Sequence, residues 1–102
     1  MAERIRFLVA YDIRDPARLR RVHQIVVDHG ERLQYSVYVC DLTRQELTKL
    51  RAELRATVHL AKDSVSIFDL GPPGGQAVRR VEHLGFRDVA AREAPDAGAV
   101  IW

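Results

Sequence analysis

Ile5-Arg6-Phe7-Leu8-Val9-Ala10-Tyr11-Asp12-Ile13-Arg14-Asp15-Pro16 decides how this chain is read. Its opening residues are largely apolar and β-favouring and run straight into an acid, which predicts a buried strand delivering Asp12 to its carboxyl end. Asp15 before Pro16 is a helix start, with the acid as N-cap and the proline at the first helical position. An aspartate after a strand also serves as a turn residue that accepts from local backbone donors. Asp15 already fills the capping role, so Asp12 stands as a candidate site carboxylate.

Beyond Pro16, Leu19, Val22, Ile25 and Val26 recur at three- and four-residue spacing and predict an amphipathic helix. Asp28-His29-Gly30 ends it, with Gly30 read as the left-handed C-terminal position. From Arg32 to Cys40, Leu33, Tyr35, Val37 and Val39 alternate with Gln34, Ser36, Tyr38 and Cys40. That is one long bent strand or two short ones broken near Ser36. Thr43-Arg44-Gln45-Glu46 is a capping box, and Leu47, Leu50, Leu54 and Val58 continue at helical spacing. Asp63 to Leu70 alternates again, with Val65 and Ile67 opposed to Ser66 and Phe68, and predicts another strand.

Gly71-Pro72-Pro73-Gly74-Gly75 stops the regular pattern. Residues 1–70 therefore read as a core domain and 71–102 as a linker with a C-terminal extension. In that extension Val78 to Leu84 reads as strand-like, Glu93-Ala94-Pro95-Asp96 as a loop, and Ala99-Val100-Ile101-Trp102 as an apolar end that docks. The order of elements predicts an α+β fold, two helices on one face of a mostly antiparallel sheet. This is the ferredoxin-like βαββαβ sandwich with a strand-like extension. Such a fold hosts many functions and settles none.

With 102 residues there is room for one small domain, whose core is modest enough that association is expected. The composition, 47% hydrophobic and 29% charged, is that of a soluble protein. No apolar run approaches the roughly 20 residues of a membrane span. No secretion signal precedes the first strand, so a cytoplasmic location is expected. Cys40 is the only cysteine and excludes an internal disulfide or a thiolate metal cage. Arg14, Arg18, Arg20 and Arg21 crowd the segment after Asp12, which suits a polyanionic partner or a solvated helix face.

His23, His29, His59 and His83 are scattered and form no zinc motif, and they read as surface or helix-end residues. The glycine-proline stretch lacks the lysine of a phosphate loop, and neither Ser36 nor Ser66 has a histidine at a recognisable motif distance. Tyr35 and Tyr38 do not match the RNA-recognition signature of this fold, although a simple stacking platform for single strands stays open.

Tyr11-Asp12, the arginine-rich helix start, Arg32-x-Gln34-Tyr35-Ser36-Val37-Tyr38, Asp63-Ser64-Val65 and Val81-Glu82-x-Leu84-Gly85 together resemble the small CRISPR-associated endoribonuclease family. The resemblance spans nearly the whole chain, and the glutamine-x-serine-valine-aromatic block is its most specific part. It implies a ferredoxin-like homodimer in which the two copies of Asp12 face each other across the twofold axis and bind Mg2+. Asp12 is then both metal ligand and catalytic residue. Tyr11, Arg21, Arg32 and Tyr38 fall on positions tied to nucleic-acid cleavage or binding, and Arg18 matches in a helix where arginine placement varies. Tyr38 stands where the family often has phenylalanine, and its hydroxyl departs from a purely apolar role.

Magnesium commonly takes one or two carboxylates plus waters and phosphate oxygens, and a twofold axis lets one acid per chain build a two-acid site. The resemblance thus implies cleavage of single-stranded RNA or duplex DNA that depends on divalent ions and rises with pH. It also implies a non-enzymatic role as the central dimer of the spacer-acquisition complex, bridging the CRISPR integrase and holding duplex DNA by its phosphates. The strand-like segment Val78 to Leu84 would add to the sheet at the dimer interface.

Overall fold

A computed structural model of the chain describes residues 3–84. Strand β1 (Ile5–Asp12) leads into helix α1 (Pro16–Val27), strands β2 (Glu31–Gln34) and β3 (Val37–Leu42), helix α2 (Arg44–Thr57), strand β4 (Ser64–Asp69) and a single turn α3 (Gln76–Arg79). The strands form one sheet in the order β2-β3-β1-β4, with every pair antiparallel. This is the ferredoxin-like order. β1 is inner, hydrogen-bonded to β3 on one side and β4 on the other, so its side chains alternate between two faces.

Each helix begins where its cap dictates. The Asp15 carboxylate accepts from the Arg18 backbone N–H at 2.9 Å, and Pro16 occupies the first turn. Thr43 and Glu46 cap reciprocally, the Glu46 N–H donating to Thr43 Oγ1 at 3.1 Å and the Thr43 N–H to Glu46 Oε1 at 2.9 Å. The apolar stripes then meet the sheet. Val22 and Val26 of α1 and Leu47, Leu50 and Leu54 of α2 pack on Phe7, Val9, Tyr11, Tyr38, Cys40 and Leu42. Val65 and Ile67 of β4 join this side, as their alternation predicts.

The second strand region is two strands, broken at Tyr35-Ser36, with Ser36 at φ 64°. The Ser36 carbonyl accepts from the Tyr11 N–H at 3.0 Å, which ties the hairpin to the end of β1. Gly30 does not adopt the left-handed conformation read from its place after α1. Its constraint is space: a Cβ there would run into the Val39 carbonyl oxygen and Cys40 Sγ. Glycine is needed because the helix end lies directly on β3.

The strand expected over Val78 to Leu84 is not formed. Gln76–Arg79 is a helical turn and 81–84 carry no regular structure. Val78 and Val81 have helical rather than alternating spacing, and both pack with Leu33, Leu8, Val37, Val39 and Leu70 on the sheet face away from the long helices. Backbone bonds between Arg6 and Gly71 and between Leu70 and Arg6 carry the chain onto that face. The loop at 93–96 and the apolar end at 99–102 lie outside the described residues.

Candidate functional site

Asp12 closes β1 opposite Ser64, and its carboxylate is 64% exposed. The Arg14 guanidinium reaches it at 3.3 Å. Strand alternation sends Asp12 to the face opposite Tyr11, which is buried beneath α1.

The loop that follows Asp12 is fastened by Asp63. This carboxylate is fully enclosed and takes four donors: Arg18 Nε at 2.7 Å and Nη2 at 3.1 Å, the Arg14 N–H at 2.9 Å and the His59 N–H at 2.8 Å. The Arg18 hydrogen bonds, helped by the two backbone donors, hold the Asp63 carboxyl well below the ordinary carboxylate range. Arg18, expected on nucleic acid, is therefore occupied with an internal partner 45 residues away. The charge it neutralises is what lets an acid sit in an enclosed position.

On the helix side a cleft of about 410 Å³ opens between α1 and the β2–β3 hairpin, lined in part by Tyr11, Arg20, His23, Arg32, Tyr35 and Tyr38. The Tyr11 and Tyr38 hydroxyls both lie on His23 Nδ1, at 3.2 and 3.3 Å. Their rings stack at 6.3 Å between centroids, and His23 meets Tyr38 edge-on. Arg32 lies over the exposed Tyr35 ring at 5.6 Å. Burial, with Tyr38 adding to it, pushes the Tyr11 phenol up to about 12, so it stays a neutral donor in any ordinary buffer.

The structure thus divides the predicted site residues. Tyr11, Arg32 and Tyr38 converge on the cleft; Asp12 lies at the strand end on the other face; Arg21 is exposed on α1; Arg18 belongs to Asp63. Sequence reasoning placed Arg20 only in the arginine cluster after Asp12 and His23 only at the surface, because a histidine is tested first against metal motifs, and so did not bring the two together. Their spacing of three on one helix was the available signal.

Among the described residues no group of three histidine, cysteine or acidic side chains could hold a metal ion. One exposed carboxylate per chain still suits magnesium, which needs only one or two from protein. No described helix is long and apolar enough to cross a membrane.

Residues 5–75 match the family model described as CRISPR associated protein Cas2. The chain belongs to the Cas2 family. A CRISPR-associated endoribonuclease Cas2 of Thermodesulfovibrio yellowstonii is 42% identical over 67 residues, covering 66% of this chain and 74% of that protein. One from Thermus thermophilus is 34% identical over 89 residues, covering 87% and 92%. The crystal structure of Streptococcus pyogenes Cas2 at pH 6.5 superimposes with a TM-score of 0.68 at 36% identity, covering 78% of this chain and 99% of the other. The first two relatives are named endoribonucleases, which supports nuclease activity, and the antiparallel sheet with its helices is the architecture shared with the Streptococcus structure.

Proposed function

We propose that this Cas2 protein is a magnesium-dependent endonuclease, active as a homodimer, that cuts phosphodiester bonds in single-stranded RNA or duplex DNA. The observation that carries this reading is Asp12, an exposed carboxylate held at a strand end by a loop that Asp63 fixes from beneath. With one copy from each subunit near a twofold axis, two carboxylates meet the protein share of a magnesium site. Magnesium, when bound, supplies charge neutralisation at the scissile phosphate and a more acidic water. Arg14 balances the Asp12 charge before substrate arrives, and the exposed Arg21 offers a two-pronged donor to a neighbouring phosphate.

The test is cleavage of labelled single-stranded RNA and of duplex DNA, with magnesium or with chelator. Product should require the metal and fall at least about a hundredfold in Asp12→Ala, the order expected when charge stabilisation at the reacting group is removed. Undiminished product from that variant sinks the mechanism.

A second reading rests on the exposure of Arg14, Arg20 and Arg21 in one short segment. As the central dimer between copies of the CRISPR integrase, the protein would grip duplex DNA by backbone phosphates, with affinity falling steeply in salt and indifferent to chelator. Retained duplex binding without any product favours this role.

A further inference from the structure

We infer, on the magnesium reading of Asp12, that Asp63 is a positioning residue for that carboxylate, and that Arg18 serves the reaction through Asp63 instead of by holding a nucleic-acid phosphate.

β1 ends where the chemistry is needed. Asp12 is the last residue of the strand and lies opposite Ser64 of β4. Beyond it the chain leaves the sheet, and a carboxylate at such an end swings with its backbone. Asp63 removes that freedom. It stands one residue before Ser64, and its Oδ1 accepts from the Arg14 N–H at 2.9 Å, two residues past Asp12. The next residue is caught as well, since Asp15 accepts from the Arg18 N–H as helix cap. The turn from Asp12 into α1 is thus held at two successive residues, and the Arg14 side chain is left within reach of the Asp12 carboxylate at 3.3 Å.

The anchor is itself fixed. Arg18 Nε and Nη2 grip both Asp63 oxygens, and the His59 N–H donates to Oδ2 at 2.8 Å from the loop after α2. One enclosed carboxylate therefore joins the end of β1, the first turn of α1 and the loop before β4. Magnesium demands near-ideal octahedral geometry, so its ligand must be presented within a fraction of an ångström. Groups behind a ligand that hold it in place tune the metal almost as strongly as the ligand does.

The same bonds decide the role of Arg18. Its side chain is 20% exposed and that of Asp63 is not exposed at all. To meet a phosphate, the guanidinium would have to leave Asp63 and strand an ionised group in an enclosed place. A phosphate finds Arg20 and Arg21 exposed on the same helix without that loss.

The experiment uses the full chain and two probes. Manganese(II) stands in for magnesium, and its binding is followed by loss of the free-ion electron paramagnetic resonance signal. The proteins are wild type, Asp12→Ala, Asp63→Asn and the double variant Arg18→Gln with Asp63→Asn, which removes both charges together and strands neither. Circular dichroism confirms the fold of each. Manganese affinity should fall in Asp12→Ala and, by about tenfold or more, in both proteins that carry Asp63→Asn. A merely structural pair would leave it unchanged once the fold is intact. Separately, binding of a fluorescein-labelled DNA duplex is measured against salt concentration in chelator. The double variant keeps the net charge, so its salt slope should equal that of wild type, whereas loss of one phosphate contact lowers the slope by about 0.9.

Unchanged manganese affinity in the Asp63→Asn proteins, alongside loss in Asp12→Ala, overturns the positioning role and leaves the metal reading standing. Equal affinity in wild type and Asp12→Ala removes the metal reading, and the positioning role with it. A lowered slope in the double variant makes Arg18 a phosphate contact and overturns its assignment to Asp63.

Discussion

Asp63 shows how much a single residue does here without touching substrate. Its carboxyl is held well below the ordinary range, first by the Arg18 hydrogen bonds, so the folded state keeps it ionised where the unfolded chain would take up a proton. Its stabilising contribution is complete above the unfolded carboxylate value of about 3.9 and is lost as pH falls below it. Asp15 and Glu46, also lowered by backbone donors and nearby arginines, act in the same direction. Thermal melts between pH 7 and pH 3 should therefore show wild type losing its advantage over Asp63→Asn on the acid side, while at pH 7 the variant melts lower. Cys40 gives a second residue-scale expectation. Burial pushes its thiol up to about 12, so it should resist alkylation at pH 8 in the folded protein and react only with unfolding. Neither the Asp63 anchor nor the His23 pair of phenols was legible in the sequence. Both are made by residues brought together from distant segments, and no local pattern encodes them.

At the scale of elements, the signals that were legible are those that act locally. Asp15-Pro16 and the Thr43–Glu46 box start their helices where the sequence puts them, because a cap satisfies donors within its own turn. The inward facing of Val65 and Ile67 likewise follows from alternation, whereas the break at Ser36, where φ is 64°, decides between two alternatives that alternation left open. Gly30 and Val78 were misread for the opposite reason, since each answers to a neighbour across the fold. Gly30→Ala tests the first. A methyl pressed against the Val39 carbonyl and Cys40 should cost about 1–3 kcal/mol in urea unfolding, as overpacked sites do, although a helix end ordinarily tolerates alanine.

For the molecule as a whole, the strand order and the two-layer arrangement were readable from the sequence of elements, whereas the separation of the site residues was not. Tyr11 and Asp12 are adjacent in the sequence and look like parts of one constellation; the sheet divides them. Stability is concentrated in the layer between helices and sheet. Leu50 is fully buried at its centre, and Leu50→Ala should lower unfolding stability by about 2–5 kcal/mol, measured by denaturant titration. The other face holds Leu8, Leu33, Val37 and Val39 under the small cover of Val78 and Val81. Val78→Asp should loosen that cover and increase binding of a hydrophobic dye while sparing the helical circular dichroism signal.

The inner position of β1 carries a further consequence, concerning length rather than chemistry. In a strand paired on both edges, a one-residue slip exchanges every inward and outward side chain. Deleting Ala10 would therefore turn Asp12 toward the helices or drag Phe7 and Val9 out of the core, and no compensating substitution elsewhere could restore both. The spacing from Phe7 to Asp12 thus acts as a ruler, and an insertion or deletion there should be tolerated far less than one in the loops between elements.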